Sequence, residues 1–524
     1  MVIWLTKMKN GLLYIGESFL HNPRSFLGVL QSCAQHVSDV LYVFLHPDAG
    51  HQQSSKLTST LFDNISRLYI QSFVAKPDWD VRILLLHLKR SGTLETLYPN
   101  LSHTLQVDTV LTDGTAPLPR ILHGLGSVSL SNNIHYLSSP RDEESVGRSE
   151  SGSEAWQTYD EVVIGGTFDH IHAGHKVLLT NAILRCQKRL TIGLTVQEML
   201  QKKRLADLIQ PIEQRKEILH KFCSDIDPSL EYNIQPIHDP FGPSTVDPTL
   251  QAVVASEETK DGALAINVER AKKGLSQLAV HIFPLHDVAV TGKQEGVRSM
   301  SSSWSRQQML GKVLKPPSPH PELPRRPYLI GLTGGSGSGK SSIGKYLAQK
   351  PGVLYVDCDK LAHEAYKKGR PLHARLVAEY GTDIVDPTSG EIVRRKLGSI
   401  VFSDEAARHK LNSLVWPAVM DYCVETVRRA SPDVAVFDAA LLIEAGWGKS
   451  LHEIWVTFVP EEEAMRRIME RDGIDETAAK NRLKTQMSNR DRIEQANVVF
   501  CSLWEYSVTR QQVDDAWNGL LKRI

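Results

Sequence analysis

Short apolar runs alternate with longer stretches rich in Leu, Lys and Glu in residues 160–310, and the same alternation returns after residue 326. The runs have the length of β-strands and the stretches between them are long enough for helices, which favours parallel α/β domains. Because ligands of such sheets bind beyond the carboxyl ends of the strands, the residues that follow the runs are the first candidates for a site. The predicted strands are Val162–Ile164, Leu190–Leu194, Leu250–Val254 and His281–Pro284, then Tyr328–Thr333, Val353–Val356, Val434–Phe437 and Ile454–Val459.

Two stretches of different composition separate these parts. Residues 126–157 turn to Ser, Gly, Asn and Glu, which bury too little apolar surface to offset the entropy of ordering, so they predict a flexible linker. Residues 312–326 are rich in proline and predict an extended, semi-rigid linker. The predicted domains are therefore residues 158–311 and residues 327–524, behind an N-terminal region.

The N-terminal region, residues 1–125, contains apolar segments without a chemical motif. Residues 26–45 predict a buried amphipathic helix of a folded region or, as the alternative, a helix that lies on a membrane surface. Lys7, Lys9 and Arg24 against Glu17 are weakly similar to an organelle-targeting segment. Its role, in targeting or in membrane or partner contact, stays open, and we expect its deletion to leave catalysis intact. The predicted localisation is cytoplasmic, mitochondrial or both, with peripheral contact at the mitochondrial membrane as one alternative.

Composition excludes some classes. Lys plus Arg equals Asp plus Glu at 60 each, which gives no reason to expect a nucleic-acid-binding protein. The six cysteines form no Cys-x-x-Cys pair, which favours a reduced protein without structural zinc. No stretch reaches the roughly 20 apolar residues that a membrane span needs.

The first candidate site follows the run Val162–Ile164. Gly165 and Gly166 allow a tight turn and close approach of the backbone to a ligand. His172 and His175 would then lie on one face at the start of a helix, whose N-terminus attracts phosphate. Metal binding or a solvated helix start is the alternative for two isolated histidines, and the strand–glycine–helix context disfavours it. Hydrogen-bond donors placed here would stabilise the charge of an adenylyl-transfer transition state.

A serine-rich turn near residue 300 is the second feature of this domain. Ser302, Ser303 and Arg306 offer hydroxyl groups and a guanidinium, with Lys293 and Arg298 upstream, and would hold the β and γ phosphates of ATP at a second helix start. Taken alone, such a turn is more often an ordinary loop.

Together the run from Gly166 to His175 and the Ser301–Arg306 segment resemble the nucleotidyltransferase superfamily with its T/HxGH signature. Val254–Thr259, Asn267 and Arg270, with Thr195–Leu200 and the following lysines, resemble the eukaryotic and archaeal phosphopantetheine adenylyltransferases. The resemblance implies a Rossmann-like domain in which Gly165, Gly166, Thr167, Phe168, His172, His175, Ser302, Ser303 and Arg306 contact ATP. It also makes Lys202, Lys203 and Arg270 candidates for the phosphate of 4′-phosphopantetheine.

The second candidate site is a glycine-rich loop directly after Tyr328–Thr333. The spacing of Gly334, Gly339, Lys340 and Ser341 fits a P-loop in its strand–loop–helix context. Backbone amides would cradle phosphates, Lys340 would bridge the β and γ phosphates, and Ser341 would ligate Mg²⁺. The predicted ATP-binding residues are Gly334, Gly335, Ser336, Gly337, Ser338, Gly339, Lys340, Ser341 and Ser342.

Carboxylates and arginines downstream supply the remaining roles. Asp359, just after a predicted strand, would orient and deprotonate a hydroxyl acceptor, and Asp438 would hold Mg²⁺ through water. Arg467 and Arg471 lie in a charge-rich helical stretch that is either an arginine-bearing lid or a solvated face. The tandem Arg466-Arg467 leaves open which arginine acts.

The loop, Asp357-Cys358-Asp359, Gly390–Phe402, Ala440–Gly446 and the Arg471 and Gln486 segments resemble dephospho-CoA kinases in order along the chain. That resemblance makes Asp357 and Arg394 candidates for substrate binding. The two domains in this order resemble the bifunctional coenzyme A synthase family of animals. The implied substrates are ATP, 4′-phosphopantetheine and dephospho-CoA, with Mg²⁺ from solution as cofactor.

Three alternatives stay open. A pyridine-nucleotide adenylyltransferase fused to a nucleoside kinase would share the histidines and the P-loop, but should lack the Val254–Thr259 and Ala440–Gly446 segments. A pseudoenzyme scaffold would have lost His172, His175, Lys340 or Asp359, and all four are present. The third alternative is that one site is active and the other only binds its ligand. The oligomeric state is not predicted.

Overall fold

Three parallel β-sheets of five strands each organise the part of the chain that the computed structural model describes. That part comprises residues 8–16, 19, 26–46, 58–77, 79–90, 94–98, 107–112, 134–137, 156–283 and 301–524. It divides into two compact units. The first unit is Met1–Arg204 with Ile209–Ser305, and the second is Leu205–Leu208 with Arg306–Ile524. The α/β fold class predicted from the sequence is thereby confirmed.

The N-terminal region forms a parallel sheet of its own in the first unit. Its strands are β1 (Met8–Gly16), β2 (Val37–His46), β3 (Asp80–Ile83), β4 (Thr109–Thr112) and β5 (Ile134–Tyr136), in the order β3-β2-β1-β4-β5. Its helices are Phe26–His36, Ser59–Ala75, Leu86–Lys89 and Leu94–Leu97. The N-terminal region, for which the sequence predicted no fold, therefore forms a doubly wound α/β domain.

Two sequence predictions need correction here. Residues 26–45 are not one helix, because the helix ends at His36 and a valine-rich strand begins at Val37. Strand β5 lies inside the predicted flexible linker 126–157, so that part of the linker belongs to a sheet. Apart from residues 134–137 and 156–157, that linker is outside the described residues.

The second sheet of the first unit carries the first candidate site. Its strands are β6 (Tyr159–Gly166), β7 (Cys186–Thr195), β8 (Glu231–Ile237), β9 (Ala252–Ser256) and β10 (Ala279–Phe283), in the order β10-β9-β6-β7-β8. The helices are Ala173–Arg185, Ile212–Ile226 and Lys260–Lys272, and the helix Ser302–Met309 begins at the end of this unit. The four predicted strands are confirmed, and β8 was missed because Asn233 and Pro236 interrupt its apolar pattern. Proline is tolerated there because β8 is an edge strand.

One continuous apolar core joins the two sheets of the first unit. Phe62 packs against Trp156 and Phe283, with ring centroids 5.5 and 6.1 Å apart. Buried polar contacts reinforce the same boundary: Lys89 Nζ lies 2.7 Å from Asp227 Oδ2. The N-terminal domain is therefore built into the unit that holds the first site. This shared core argues against the expectation that residues 1–125 are dispensable.

The second unit contains the third sheet and the P-loop. Its strands are β11 (Tyr328–Gly334), β12 (Val353–Asp357), β13 (Val434–Asp438), β14 (Glu453–Phe458) and β15 (Val498–Cys501), in the order β12-β13-β11-β14-β15. The helices are Lys340–Leu347, Cys358–Ala365, Pro371–Tyr380, Arg394–Ser403, Glu405–Ala430, Glu461–Asp472, Glu476–Lys484, Asn489–Gln495 and Tyr506–Leu521. The predicted strands are confirmed, whereas the four-residue β15 was missed.

The predicted proline-rich linker, residues 312–326, contains no helix or named strand, as expected. Its start is nevertheless docked, since Val313 pairs with Val498 and the Leu314 amide donates to Asn497 O at 2.7 Å. Its end is docked as well, since Arg326 Nη1 lies 3.1 Å from Asp433 Oδ1, and the whole segment lies within the second unit.

Central strands carry both candidate sites. Strand β6 lies between β9 and β7, and β11 lies between β13 and β14, so in each sheet the strand order reverses at that strand. Crevices form beyond the carboxyl ends of strands at such switch points. Gly166 and Gly334 end these two strands.

Candidate active sites

The first site begins at a turn between β6 and the helix Ala173–Arg185. Phe168 and His170 take φ angles of 47° and 46°, whereas Gly165 and Gly166 lie within the strand. The positive φ angles of the turn therefore belong to Phe168 and His170, which corrects the role given to the glycines. A Cβ at Gly166 would come within 3.0 Å of the Phe168 ring, and one at Gly165 would meet only Gly193 O at 3.9 Å. Gly166 thus makes room for a protein side chain, while the space beside Gly165 is open.

His172 and His175 meet at the start of the helix, as predicted. Their ring centroids are 3.9 Å apart with an interplanar angle of 29°, and the Nδ1 atom of each ring is buried with no hydrogen-bond partner among the residues that the structure describes. Burial, together with the positive charge of Lys176, lowers the pKa of His172 to about 4. Burial and the neighbouring His172 hold the pKa of His175 well below its usual range. Both rings are neutral at pH 7, so each has one N–H to donate.

Thr167 links the turn to one of the two predicted lysines. Lys203 Nζ donates to Thr167 Oγ1 at 2.6 Å, and Thr195 Oγ1 lies 3.3 Å from the same atom. Lys203 therefore reaches the site from an exposed loop, whereas its neighbour Lys202 is exposed and has no described contact there. Of the two candidates, the structure brings Lys203 to the threonine.

The predicted substrate contact of Arg270 is not supported. Its side chain is fully buried, with Nε donating to Ser276 O at 2.6 Å and Nη1 to Ser244 O at 2.6 Å and Asp247 O at 2.9 Å. A guanidinium enclosed by backbone carbonyls fixes a loop and is not exposed to a substrate phosphate. An arginine in a helical sequence carries no signal that separates these two uses.

Arg215 is a residue of this site that sequence reasoning missed. It is 1% exposed, and it donates to Thr167 O at 2.8 Å, Thr195 O at 3.0 Å and Gln210 O at 2.9 Å. It thereby ties the ends of β6 and β7 together beneath Thr167. The tertiary structure alone reveals this, because Arg215 follows no motif.

The serine-rich turn also reaches the histidines. Ser302 begins a helix, and its Oγ lies 3.5 Å from His172 Nε2. Ser303 follows in the first turn, and Arg306, one turn from Ser302, is buried. The structure therefore joins the two motifs through Ser302. Lys293 and Arg298 lie outside the described residues.

The second site is the P-loop of the second unit, between β11 and the helix Lys340–Leu347. Gly337 and Gly339 take φ angles of 78° and 83°, where side chains are disfavoured. A Cβ at Gly334 would lie 2.4 Å from Thr457 O, and one at Gly335 would lie 3.1 Å from Arg492 Nη1. Gly337 and Gly339 are therefore favoured by conformation and Gly334 by close packing against backbone, whereas a side chain at Gly335 would require Arg492 to shift. Ser336, Ser338, Ser341 and Ser342 complete the loop and helix start, with Ser341 and Ser342 exposed.

Lys340 forms an ion pair with Asp438, which ends β13. Asp438 is 2% exposed and also accepts a hydrogen bond from Tyr355 at 2.6 Å. Burial lowers the pKa of Lys340, and the nearby Asp359 and Asp357 oppose that shift. The lysine and the predicted metal ligand thus lie together at the carboxyl edge of the sheet.

Asp359 lies in the first turn of the helix Cys358–Ala365. Burial raises the pKa of its carboxyl group, and the charge of Lys340 opposes the rise. A carboxylate with a raised pKa is suited to accept a proton from a hydroxyl. Asp357 caps the same helix, accepting from the Lys360 amide at 3.0 Å, so part of its acceptor capacity serves the fold.

The predicted arginines have three different surroundings. Arg467 donates from Nη1 to Gly337 O at 3.1 Å and Ser502 Oγ at 2.7 Å, so it contacts the P-loop backbone. Arg471 pairs with Asp472 at 2.8 Å, and Arg466 pairs with Glu463 and Glu470 on the exposed face. Of the tandem arginines, Arg467 lies at the P-loop. Arg394 contacts His363, with Nη1 and Nε2 3.0 Å apart.

A cavity of about 320 Å³ lies beside the P-loop, and one of its lining residues, Arg492, was not predicted from the sequence. Arg492, 2% exposed, lines it and donates to Met487 O at 2.7 Å. Its Nη1 faces Gly335, and its Nε has no partner among the described residues. Gln486 also lines the cavity, accepting from the Ser336 amide at 3.0 Å and donating to Ser336 Oγ at 2.9 Å.

Comparison with known proteins assigns each site to a family. The family described as Dephospho-CoA kinase matches residues 328–502, and the family described as Cytidylyltransferase-like matches residues 163–301. The dephospho-CoA kinase of Geobacter sulfurreducens is 38% identical over 192 residues, which cover 36% of this chain and 96% of that protein. That of Shouchella clausii is 37% identical over 190 residues, covering 36% and 95%. The solved dephospho-CoA kinase from Campylobacter jejuni shares 22% identity at a TM-score of 0.30, over 37% of this chain and 97% of that one.

Proposed function

The chain belongs, through residues 328–502, to the dephospho-CoA kinase family, and we propose that it is a bifunctional transferase of the last two steps of coenzyme A biosynthesis. The observation that carries the proposal is the fusion itself. A cytidylyltransferase-like domain with paired histidines precedes a kinase domain in which Lys340, Asp438 and Asp359 lie together. The product of the first reaction is then the substrate of the second.

In the first reaction, the phosphate of 4′-phosphopantetheine attacks the α-phosphorus of ATP, and pyrophosphate leaves. His172 and His175 are neutral donors at the helix start, and we assign them to the charge that develops on the phosphorus being transferred. Thr167, Ser302, Ser303 and Arg306 would bind the ATP phosphates. Lys203, bonded to Thr167 in the structure, would receive the phosphate of the acceptor.

In the second reaction, the ribose 3′-hydroxyl of dephospho-CoA attacks the γ-phosphorus of ATP, and ADP leaves. Asp359 would accept the hydroxyl proton. Lys340 would exchange its contact with Asp438 for the β and γ phosphates of ATP. Arg467, which contacts Gly337, and Arg492, which lies near Gly335, would offset the charge of the transferred group.

The residues at the kinase site fit Mg²⁺. Mg²⁺ keeps several waters and takes one or two protein oxygens together with substrate phosphates. Ser341 and the buried Asp438 supply such oxygens, and no group of three or more His, Cys, Asp or Glu forms a metal cage among the described residues. When bound with ATP, Mg²⁺ neutralises phosphate charge and aligns the γ-phosphate.

The test is direct. Purified protein is incubated with Mg-ATP and 4′-phosphopantetheine, and products are followed by mass spectrometry. Dephospho-CoA that appears first and is then converted to CoA is the expected result. Supplying dephospho-CoA directly tests the second step alone. Formation of dephospho-CoA without CoA would contradict the kinase assignment. Formation of CoA only when dephospho-CoA is supplied would contradict the adenylyltransferase assignment.

The compartment is a further point of the proposal. Among the helices that the structure describes, none is long and apolar enough to cross a membrane. The prediction of a cytoplasmic protein, a mitochondrial protein or both is tested by imaging the tagged full-length chain. Peripheral membrane contact is tested by its release from membranes at high salt.

A further inference from the structure

Lys176 follows the predicted catalytic residue His175 in sequence, yet its side chain contacts the N-terminal domain. The residue is 5% exposed, and its ammonium donates to Asp80 Oδ1 at 2.7 Å and to Val81 O at 3.0 Å. Both acceptors are in strand β3 of the N-terminal sheet. A lysine so enclosed is held by this contact and does not reach a substrate.

Asp80 is itself held from a second side. Arg82 donates to Asp80 Oδ2 from Nε at 2.9 Å and from Nη2 at 2.5 Å, and it forms a second ion pair with the buried Asp225. Tyr42 also donates to Asp225, at 3.2 Å. The charges therefore alternate from Lys176 through Asp80 and Arg82 to Asp225, across the boundary between the two sheets. Removing Asp80 would leave the Lys176 ammonium buried without a counter-charge, which is costly.

The position of Lys176 on its helix gives this contact a consequence for the site. The Lys176 amide donates to His172 O at 3.0 Å, so this residue closes the first helical turn. That turn carries His172 and His175, whose rings stack on each other. Anchoring the Lys176 side chain therefore fixes how the turn is rotated and where the two rings point.

We propose that Asp80 and Lys176 are positioning residues for adenylyl transfer: the carboxylate of the N-terminal domain anchors the helical turn that presents His172 and His175. The proposal rests on the function proposed above. It gives the N-terminal domain a role in the first reaction, as the support against which the histidine-bearing helix is set. Neither residue touches the reacting atoms.

The test uses the full-length protein with Asp80→Asn, which keeps the shape of the side chain but removes its charge. The kcat of dephospho-CoA formation is expected to fall about 10- to 100-fold, because displaced catalytic groups cost that much. The KM values for ATP and 4′-phosphopantetheine should change far less, since the binding groups remain. Conversion of supplied dephospho-CoA to CoA should be unchanged.

Lys89→Met is the matched control. It breaks the ion pair with Asp227 and a contact to Ile183 O at 3.3 Å, at the same domain boundary but near the other end of the helix Ala173–Arg185. It should lower the thermal stability of the first unit, yet keep kcat near the wild-type value. An equal kcat loss in this control, or wild-type kcat in Asp80→Asn, overturns the proposal.

A double variant covers the case in which Asp80→Asn is insoluble. Asp80→Asn with Lys176→Met leaves no unpaired ammonium, so it should stay soluble and show the same kcat loss. Wild-type kcat in the double variant would overturn the proposal. A wild-type protein that makes no dephospho-CoA would instead overturn the proposed function, so the two failures are distinguishable.

Discussion

Lys340 and Asp438 form an ion pair at the carboxyl edge of the kinase sheet, where the P-loop helix faces the end of β13. Asp438 is almost fully buried and also receives the Tyr355 hydroxyl, so the carboxylate is fixed before any nucleotide binds. The proposed phosphate contact of Lys340 and the proposed metal contact of Asp438 would therefore lie side by side.

Replacing Lys340 with Met should abolish the second step and leave the first. The variant loses the cation that bridges the β and γ phosphates, so CoA formation should fall at least about 100-fold while dephospho-CoA accumulates. Mass spectrometry of both products measures this. Lys345→Met, an exposed lysine of the same helix, is the control. Undiminished CoA output from the Lys340 variant would contradict the kinase assignment.

Replacing His175 with Ala should stop the first step and spare the second. The variant removes a neutral donor from the stacked pair, and dephospho-CoA formation should fall about 100-fold or more. Supplied dephospho-CoA should still be converted to CoA, because the P-loop is in the other unit. The exposed His220 gives the control His220→Ala. Loss of both activities would show that the sites are structurally coupled.

Arg492 should matter more than the exposed Arg466. Arg492→Met removes a buried cation beside Gly335 and should lower the kcat of the kinase step about 10- to 100-fold, since charge near the transferred phosphoryl group is lost. Arg492→Lys should recover part of the rate. Arg466→Met, which breaks the pairs of an exposed arginine with Glu463 and Glu470, should leave kcat within about two-fold. Steady-state kinetics with supplied dephospho-CoA measures these kcat values. A larger kcat loss in Arg466→Met than in Arg492→Met would contradict the role assigned to Arg492.

Deleting residues 1–125 should remove the first activity and keep the second. The truncation uncovers apolar partners such as Trp156 and Phe283, leaves the buried Lys176 ammonium without Asp80, and removes Arg82 from Asp225. The measurement is the soluble yield together with both product assays. A soluble truncation with full dephospho-CoA formation would show that the shared core is not needed.

The sequence predicted those features that short-range pattern determines. The strand, loop and helix around Lys340 were predictable because glycine spacing, the apolar run and the helix start lie within a few residues of one another. The histidine pair was predictable for the same reason. Strand β8 was not predictable, because it is an edge strand that tolerates Pro236, and its apolar pattern is therefore weak.

Residues whose role depends on distant contacts could not be predicted. Arg270 and Arg215 look alike in sequence. In the structure, Arg270 donates to backbone carbonyls of a loop, whereas Arg215 links the ends of two strands under Thr167. Asp80 lies 96 positions from Lys176, and no local pattern pairs them. The N-terminal sheet was missed because its strands carry no motif, although its apolar runs are real.

His87 should make the stability of the first unit fall in acid. The residue is 6% exposed, neither ring nitrogen has a hydrogen-bond partner within the described part of the chain, and burial lowers its pKa to about 3. The folded state therefore keeps His87 neutral, while the unfolded chain takes up a proton below its ordinary pKa of 6.5. Stability is lost as pH falls from 6.5 towards 3, by about 2 kcal/mol at pH 5 from this residue. His172 and His281, whose pKa values burial lowers to about 4, act in the same direction.

Calorimetry of the wild type and His87→Leu between pH 7 and pH 5 measures this effect. The variant has no ring to protonate, so the Tm of its first unit should decline less over that range than the wild-type value. His220→Leu removes an exposed histidine and should keep the wild-type slope. Equal slopes in wild type and His87→Leu would mean that the folded state accommodates a charged ring at position 87, for instance by hydrating it.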